Sequence, residues 1–211
     1  MSELLLFILL GYLSGSVLYS PLIARVFQVD IVRESDDHNP GGANVFKLVG
    51  PAAGVLAVAC DIVKAFAPVY LARLCLDPAR LSFALVMAAP VMGHAFPVFS
   101  GFKGGKAIAA AFGVTLGLFP NVQPFAVLAC LYLFFSLVLI VRPNLFRSQV
   151  TFALFSLYGL MRVPLPGLGL GLALCGGVVI LRHALAWRGE KFRVALLRLP
   201  PDDDQNAHPA A

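Results

Sequence analysis

The chain alternates between long apolar runs and short polar connectors. Each run is rich in apolar residues and is bounded by charged residues, proline or glycine, which favours a buried or membrane-embedded helix. Several runs are shorter than the roughly 20 residues that a helix needs to cross the hydrocarbon layer upright. The pattern therefore predicts about seven transmembrane helices, over residues 4–27, 51–75, 81–92, 107–119, 125–141, 150–160 and 167–181.

Composition places the chain among membrane proteins. Of its 211 residues, 59% are hydrophobic and 13% are charged, and the mean hydropathy is +0.85. Soluble proteins have roughly 25% charged residues. The first run follows Glu3 instead of basic residues and is longer than the core of a removable signal peptide. These features predict an all-α integral membrane protein with one domain over residues 1–193 and a disordered tail over 194–211.

Lysine and arginine side chains are distributed unevenly between the connectors. With seven spans, one side of the membrane holds only Arg73, Arg80 and Arg162. By the positive-inside rule the cation-rich side and the tail are cytoplasmic, and the N-terminus is outside. The net charge of +5 then reflects orientation and anionic ligands, because nucleic-acid binding would require a soluble basic face. Every candidate site described below lies on the predicted cytoplasmic side.

The segment 93–106, GHAFPVFSGFKGGK, interrupts the apolar pattern with a histidine, a proline, two lysines and four glycines. Its three phenylalanines predict a re-entrant polar loop that dips into the apolar layer. Gly104 and Gly105 allow backbone N–H groups to face inward between Lys103 and Lys106, at the start of the next helix. We expect a phosphate site here. The alternative is that both lysines only anchor a helix end at the lipid headgroups.

Two further polar groups lie on the same side. Asn39, Gly41, Asn44 and Lys47 form a second glycine-containing nest, although N-P-G-G is equally typical of an ordinary turn. His183, at the end of the last run, is either a helix-end residue or part of the site.

Asp61 and Lys64 share one face of the second run, since they are three residues apart. A charge at the bilayer centre costs at least about 2.5–3.5 kcal/mol on insertion scales, so both should face the bundle interior. Either the two neutralise each other, or Asp61 orients a cation of the phosphate site. In the first run, Gly11, Gly15 and Ser16 form a small-residue face suited to close helix contact.

The sequence lacks the motifs of disulfide-linked, metal-binding, nucleotide-binding and other acyltransferase proteins. The cysteines are scattered singly, without a C-x-x-C or Cys/His spacing, which favours core residues over disulfides or a metal site. No D-x-x-D-G motif is present, and we expect neither metal nor cofactor. A nucleotide-binding P-loop would need glycine in place of Ser100 and a hydroxyl in place of Ala107. No H-x-x-x-x-D acyltransferase dyad follows any of the four histidines.

The order and spacing of these motifs resemble the acyl-phosphate:glycerol-3-phosphate acyltransferase family (PlsY-type) of bacterial inner membranes. The most specific match is G-H-x-F-P-x-F-x-x-F-K-G-G-K, which segment 93–106 reproduces. The family also has D-I-R…G-S-G-N-x-G-A-T-N-V-x-R, D-x-x-K-G, R-Y-x-S-L and R-H…G-x-E. This chain matches them at Asp30-Ile31, Asn39, Gly41, Asn44-Val45, Asp61, Lys64, Arg142, Arg182-His183 and Gly189-Glu190.

The chain departs from the family pattern at several polar positions. Asp37 stands at the serine of G-S-G-N, Ala43 at the threonine of A-T-N, and Lys47 at the arginine that follows. The R-Y-x-S-L turn has no serine at its usual place, and Ser148 lies three residues further on. Arginine to lysine is not a conservative exchange at a phosphate site, because the bidentate fork is lost.

The resemblance implies transfer of a fatty acyl group from acyl phosphate to the 1-hydroxyl of glycerol 3-phosphate, giving lysophosphatidic acid for phospholipid synthesis. The implied partners are these two substrates and membrane lipids, and the implied location is the inner membrane with a cytoplasmic active face. The implied catalytic residues are His94, Lys103, Lys106 and His183. The implied substrate-binding residues are Asn39, Gly41, Asn44, Lys47, Asp61, Lys64, Gly104, Gly105, Arg142 and Ser148.

Two other readings remain open. The missing hydroxyls are compatible with a non-catalytic relative that binds a phosphorylated lipid or anion, or with an acyltransferase that has an altered acceptor. A small transporter is disfavoured, because the polar groups cluster on one face instead of at the bilayer midplane.

Overall fold

The computed structural model describes residues 2–197, which form ten α-helices and one short two-stranded sheet. Val98–Ser100 is a 3-10 turn, and Phe134–Val138 is a π-helical segment that continues from α8. The helices are α1 (Ser2–Ser16), α2 (Tyr19–Val26), α3 (Ile31–Glu34), α4 (Gly42–Leu48), α5 (Pro51–Cys75), α6 (Phe83–Ala95), α7 (Ile108–Leu116), α8 (Gln123–Leu133), α9 (Asn144–Arg162) and α10 (Pro166–Leu185). The strands are β1 (Leu139–Arg142) and β2 (Arg193–Leu196).

Within residues 2–197, four helical stretches are long and apolar enough to cross a membrane: 2–26, 51–75, 83–100 and 166–185. The mostly helical membrane architecture predicted from the sequence is confirmed. The count of seven crossings stays a prediction, because the remaining apolar helices are shorter or less apolar. For example, α7 has nine residues and is about 13–14 Å long, against a hydrocarbon layer of roughly 30 Å.

The prediction of an all-α fold is wrong in one detail. β1 pairs antiparallel with β2, with Leu139 opposite Leu196 and Arg142 opposite Arg193. The run 125–141 was expected to be one helix, but the residue before a proline is biased toward extended backbone, and Pro143 follows Arg142. Residues 194–196 of the predicted disordered tail therefore belong to a strand, and residues 198–211 lie outside the described part of the chain.

Two prolines expose backbone carbonyls that join α1 and α2 to α5. Pro21 has no N–H, so the carbonyl of Val17 lacks its helical donor. It accepts a hydrogen bond from Lys64 Nζ at 2.5 Å. Pro68 leaves the carbonyl of Lys64 free in the same way, and Ser14 Oγ donates to it at 2.7 Å. The predicted single helix over 4–27 is thus interrupted at residues 17 and 18, where it is fastened to α5.

The predicted small-residue face of α1 is confirmed. A Cβ added to Gly15 would lie 2.2 Å from the carbonyl oxygen of Pro90, and one added to Gly93 would lie 2.1 Å from that of Tyr12. Glycine at these positions therefore lets α1 and α6 pack backbone against backbone. The leucines on the remaining faces of α1 are exposed, as expected of a surface that contacts lipid.

The loop after α6 turns back against the helix that precedes it. Gly101 adopts the left-handed conformation, with φ of 58°, and the Gly105 N–H donates to the carbonyl of His94 at 3.0 Å. α7 then starts at Ile108 and packs against α5, where a Cβ on Gly113 would lie 2.2 Å from the carbonyl oxygen of Ile62. This arrangement brings the start of α7 next to His94 and Asp61.

Candidate active site

A cavity of about 400 Å³ lies between the 37–47 connector, α5, the end of α6, the start of α7, α8, α9 and the end of α10. Residues from separate elements of the chain meet in this cavity. A motif of consecutive residues cannot indicate such a meeting. Nine of the sequence-predicted site residues line it: Asn39, Gly41, Asn44, Lys47, Asp61, His94, Lys106, Ser148 and His183.

Lys106 and Asp37 form an ion pair at the cavity wall, with 2.7 Å between Nζ and Oδ2. Asn44 Nδ2 donates to Asp37 Oδ1 at 2.8 Å, and the Asn39 N–H donates to the same oxygen at 3.2 Å. Burial would raise the pKa of Asp37, but the hydrogen bonds from Lys106 and Asn44 outweigh burial and lower that pKa to about 2. Asp37 is therefore ionised at neutral pH and balances the charge of Lys106.

The 39–44 turn delivers these amide groups. Asn44 Nδ2 also donates to the carbonyl of Asn39 at 2.8 Å, which ties the start of α4 to the turn before it. A Cβ on Gly41 would lie 2.5 Å from Asn39 Nδ2, so glycine makes room for the asparagine side chain. Lys47 follows on the last turn of α4, where its side chain is exposed at the cavity rim.

Asp61 and Lys64 are buried and paired at 2.7 Å. Ser20 Oγ donates to the second Asp61 oxygen at 3.2 Å. Lys64 does not line the cavity, whereas Asp61 does. Asp61 Oδ1 lies 3.7 Å from His94 Nδ1, which is too long for a hydrogen bond. The sequence allowed two roles for Asp61, and the structure has the one in which Asp61 and Lys64 neutralise each other. This pairing also places the Asp61 carboxylate beside His94.

Gly104 and Gly105 pack the loop against His94 and do not line the cavity. A Cβ on Gly105 would lie 2.3 Å from His94 Nε2, and one on Gly104 would lie 2.2 Å from the His94 carbonyl oxygen. Their own carbonyls accept hydrogen bonds from the Arg182 guanidinium at 2.5 and 3.1 Å. Here the glycine pair allows a close approach of loop and helix. Lys103 is exposed and is also absent from the cavity lining.

His183 is buried at the end of α10 and lines the cavity. Its Nδ1 lies 2.8 Å from the carbonyl of Val179, one helical turn earlier. Because a carbonyl can only accept, Nδ1 carries the proton, and in the neutral ring Nε2 is left as an acceptor. The His183 ring is therefore held in one orientation, and its Nε2 atom is available to take a proton.

The first turn of α9 contributes residues that sequence reasoning did not select. Asn144 and Arg147 line the cavity together with the predicted Ser148. Ser148 Oγ donates to the carbonyl of Asn144 at 3.0 Å and lies 3.0 Å from the hydroxyl of Tyr132 on α8. The signal in the sequence was the i, i+3, i+4 spacing of three polar residues directly after Pro143. Arg142, which was predicted to bind substrate, lies in β1 with an exposed side chain outside the cavity lining.

Residues 2–197 contain no cluster of three or more His, Cys, Asp or Glu side chains that could hold a metal ion. The cavity instead combines two acid–base candidates, His94 and His183, with cationic and amide donors. The lining also includes apolar side chains, among them Val58, Ile62 and Phe112. Such a site suits an anionic headgroup attached to a hydrocarbon chain.

Comparison with known proteins shows which family the chain resembles. Residues 5–188 match the family described as glycerol-3-phosphate acyltransferase. A glycerol-3-phosphate acyltransferase of Pseudoalteromonas translucida (strain TAC 125) is 33% identical over 202 residues, which cover 94% of this chain and 96% of that protein. The enzyme of the same name from Streptococcus thermophilus (strain CNRZ 1066) is 35% identical over 162 residues, covering 77% of this chain and 73% of the relative.

Solved structures agree with the sequence relatives. The crystal structure of PlsY, an integral membrane glycerol 3-phosphate acyltransferase, in its glycerol 3-phosphate form is similar with a TM-score of 0.72 and 29% identity, and covers 86% of this chain and 88% of that chain. The lysophosphatidic acid form gives a TM-score of 0.69 and 30% identity, with coverage of 85% and 87%. The chain therefore belongs to the glycerol-3-phosphate acyltransferase family.

Proposed function

We propose that this protein transfers a fatty acyl group from an acyl phosphate to the 1-hydroxyl of glycerol 3-phosphate and releases lysophosphatidic acid. The observation that carries the proposal is the cavity itself, which joins Lys106, Asn44, His94 and His183 from four separate elements. Family membership supports the acceptor. The donor is supported by the apolar side chains of the lining, which can contact an acyl chain in the cavity that also contains Lys106.

The chemistry requires little beyond charge neutralisation and alignment, because phosphate is a good leaving group. The 1-hydroxyl oxygen attacks the acyl carbonyl carbon, the bond from that carbon to the phosphate oxygen breaks, and inorganic phosphate leaves. The hydroxyl proton passes to Nε2 of His183, to His94, or to an oxygen of the departing phosphate. Lys106 and the Asn44 amide stabilise phosphate charge, and an arriving phosphate group competes with Asp37 for both.

The membrane arrangement that fits this function has seven crossings, the N-terminus outside and the cavity facing the cytoplasm of a bacterial inner membrane. The support is the cation asymmetry, since Lys47, Lys106, Arg147 and the α10 end all belong to the cation-rich side. The acyl chain enters sideways from the bilayer. The phosphorylated acceptor enters from the cytoplasm.

A second candidate is a relative that binds a phosphorylated ligand without turning it over, or that uses another acceptor. Asp37 favours this candidate, because a carboxylate occupies the family serine position and already engages Lys106. A tethered anion of this kind offsets the charge with which Lys106 would stabilise the departing phosphate.

The deciding experiment is turnover by protein purified in detergent. With palmitoyl phosphate and glycerol 3-phosphate, and without acyl-CoA or added metal, we expect lysophosphatidic acid, measured by mass spectrometry. Lys106→Ala should lower kcat/KM by about 10- to 100-fold while the protein stays folded, because it removes a charge-assisted phosphate contact in the cavity. Lys103→Ala, outside the lining, should lower it by less than about 10-fold, since an exposed cation contributes little.

Lys191→Ala is the matched control, because this lysine is exposed and does not line the cavity. If product forms only with a different acceptor, that acceptor takes the place of glycerol 3-phosphate in the proposal. No product from any acceptor, together with retained binding of glycerol 3-phosphate, would favour the non-catalytic candidate. Unchanged kinetics in Lys106→Ala would remove this lysine from the site.

A further inference from the structure

Arg147 lies at the cavity wall, where its guanidinium packs on an aromatic ring. It lies on the first turn of α9 beside Asn144 and Ser148. Its guanidinium carbon lies 5.4 Å from the centre of the Tyr132 ring, which is a cation–π distance. Tyr132 is itself fixed, because its hydroxyl lies 3.0 Å from Ser148 Oγ. The guanidinium is therefore positioned before a ligand arrives.

One donor of this guanidinium is buried without a partner. Arg147 Nε is inaccessible to solvent and has no hydrogen bond to any residue of the described chain. Arginine has five N–H donors and no acceptor, and a buried donor almost always has a partner in a native protein. Arg147 therefore has hydrogen-bonding capacity that the described chain does not use, on a side chain that lines the cavity.

The charge of Arg147 is not neutralised locally. Lys106 is paired with Asp37 and Lys64 with Asp61, both at 2.7 Å. Arg147 forms no ion pair with any carboxylate among residues 2–197. A guanidinium without a counterion, partly buried and facing a cavity, attracts an anion because the low-dielectric wall screens its field weakly.

We propose that Arg147 binds a phosphate group of a substrate, and that it replaces the arginine which the family carries where this chain has Lys47. Lys47 is exposed and offers a single ammonium group. Arg147 offers a planar fork whose parallel N–H groups match two phosphate oxygens. The nature of the ligand, a terminal phosphate of glycerol 3-phosphate or of the acyl donor, rests on the proposed function.

Binding of glycerol 3-phosphate and of inorganic phosphate to the purified protein tests this directly, because neither measurement requires turnover. For Arg147→Gln, we expect the Kd for inorganic phosphate to rise about 10- to 100-fold, the loss typical of a charge-assisted contact. The Kd for glycerol 3-phosphate rises with it if Arg147 holds the phosphate of the acceptor. Arg147→Lys keeps the charge but not the fork, and should fall between Gln and wild type. Arg162→Gln, an exposed arginine at the other end of α9, is the matched control and should bind like wild type.

Kinetics identify which phosphate is bound. A rise in KM for glycerol 3-phosphate alone assigns Arg147 to the acceptor, and a rise for palmitoyl phosphate alone assigns it to the donor. Wild-type protein that binds phosphate through Arg147 but makes no product would overturn the proposed activity and leave this inference intact. Equal Kd values for Arg147→Gln, Arg162→Gln and wild type would show that Arg147 only stacks on Tyr132. Full affinity in Arg147→Lys would refute the need for a fork.

Discussion

Asp37 stands where the family has a serine, and this single exchange alters the charge of the cavity. A serine hydroxyl can donate to a phosphate oxygen, whereas an ionised carboxylate only accepts. In this chain the carboxylate collects Lys106, Asn44 and the Asn39 N–H around itself. These are groups that also suit a phosphate oxygen. Asp37 therefore holds these donors in place, and it competes for them with the phosphate group of a substrate.

Because of the same contacts, the stability of the folded protein depends on pH in the acid range. The pKa of folded Asp37, about 2, lies below its ordinary value of 3.8. Ionised Asp37 therefore stabilises the fold above pH 3.8, and this contribution disappears as the pH falls toward 2. We expect Asp37→Asn to lower the unfolding temperature in detergent at pH 5, and the difference from wild type to shrink between pH 4 and pH 2.

Asp77→Asn controls for the loss of one negative charge, because Asp77 is an exposed carboxylate in the turn after α5. Its difference from wild type should stay small across the same range. A constant gap between Asp37→Asn and wild type down to pH 2 would mean that Asp37 does not interact with Lys106 through its charge.

At the scale of single residues, the sequence could identify groups but not their partners. The sequence identifies Lys106 as a candidate phosphate-binding residue because it follows two glycines. In the structure it pairs with Asp37, which lies 69 positions earlier in the chain. Gly105 was selected to expose its N–H, yet its tight contact with His94 Nε2 accounts for the missing side chain. Arg147 escaped selection because a lone arginine after a turn is indistinguishable from a membrane-anchoring cation until its neighbours are known.

At the scale of elements, the long apolar runs were predictable and their interruptions were not. α5 begins and ends at the predicted residues 51 and 75, because Pro51 occupies the first helical position and a polar turn follows Cys75. The predicted helix over 125–141 instead continues as a π-helical segment and then becomes β1. Apolar periodicity cannot separate a strand from a helix over so few residues, and the partner strand lies about 50 positions away.

A substitution at the contact between α1 and α6 tests how closely these two helices must pack. Gly93→Ala places a Cβ 2.1 Å from the Tyr12 carbonyl oxygen and 2.9 Å from the Ser16 nitrogen. Both are backbone atoms, so the helices must separate. We expect a loss of about 1–3 kcal/mol in unfolding free energy, typical of overpacking. Because His94 is the next residue, kcat should fall as well. Detergent unfolding and the turnover assay measure the two effects.

Gly177→Ala is the control on α10, where an added Cβ meets nothing within 4 Å. Alanine there should be neutral or stabilise the helix by up to about 1 kcal/mol. If Gly93→Ala unfolds like Gly177→Ala, the close approach of α1 and α6 does not limit stability.

At the scale of the whole molecule, the open question is how many times the chain crosses the bilayer. The four long stretches alone place residues 80 and 191 on the same side, because only 83–100 and 166–185 lie between them. Seven crossings place them on opposite sides, because α7, α8 and α9 add three. With its π-helical continuation, α8 spans 16 residues and about 24 Å, and α9 spans 19 residues and about 28 Å. Both nearly match the hydrocarbon thickness, and α7 must then be completed by its flanking loops.

Cysteine labelling in intact cells distinguishes the two counts. In a background without the four native cysteines, we expect Arg80→Cys to react with a membrane-impermeant maleimide and Lys191→Cys to react only after permeabilisation. Both positions are exposed. Equal labelling of both before permeabilisation would support four crossings. The reverse pattern would place the cavity outside the cell. The expected pattern puts Lys106 and Arg147 on the cytoplasmic side, where a phosphorylated substrate of the cell can reach them, and the reverse pattern does not.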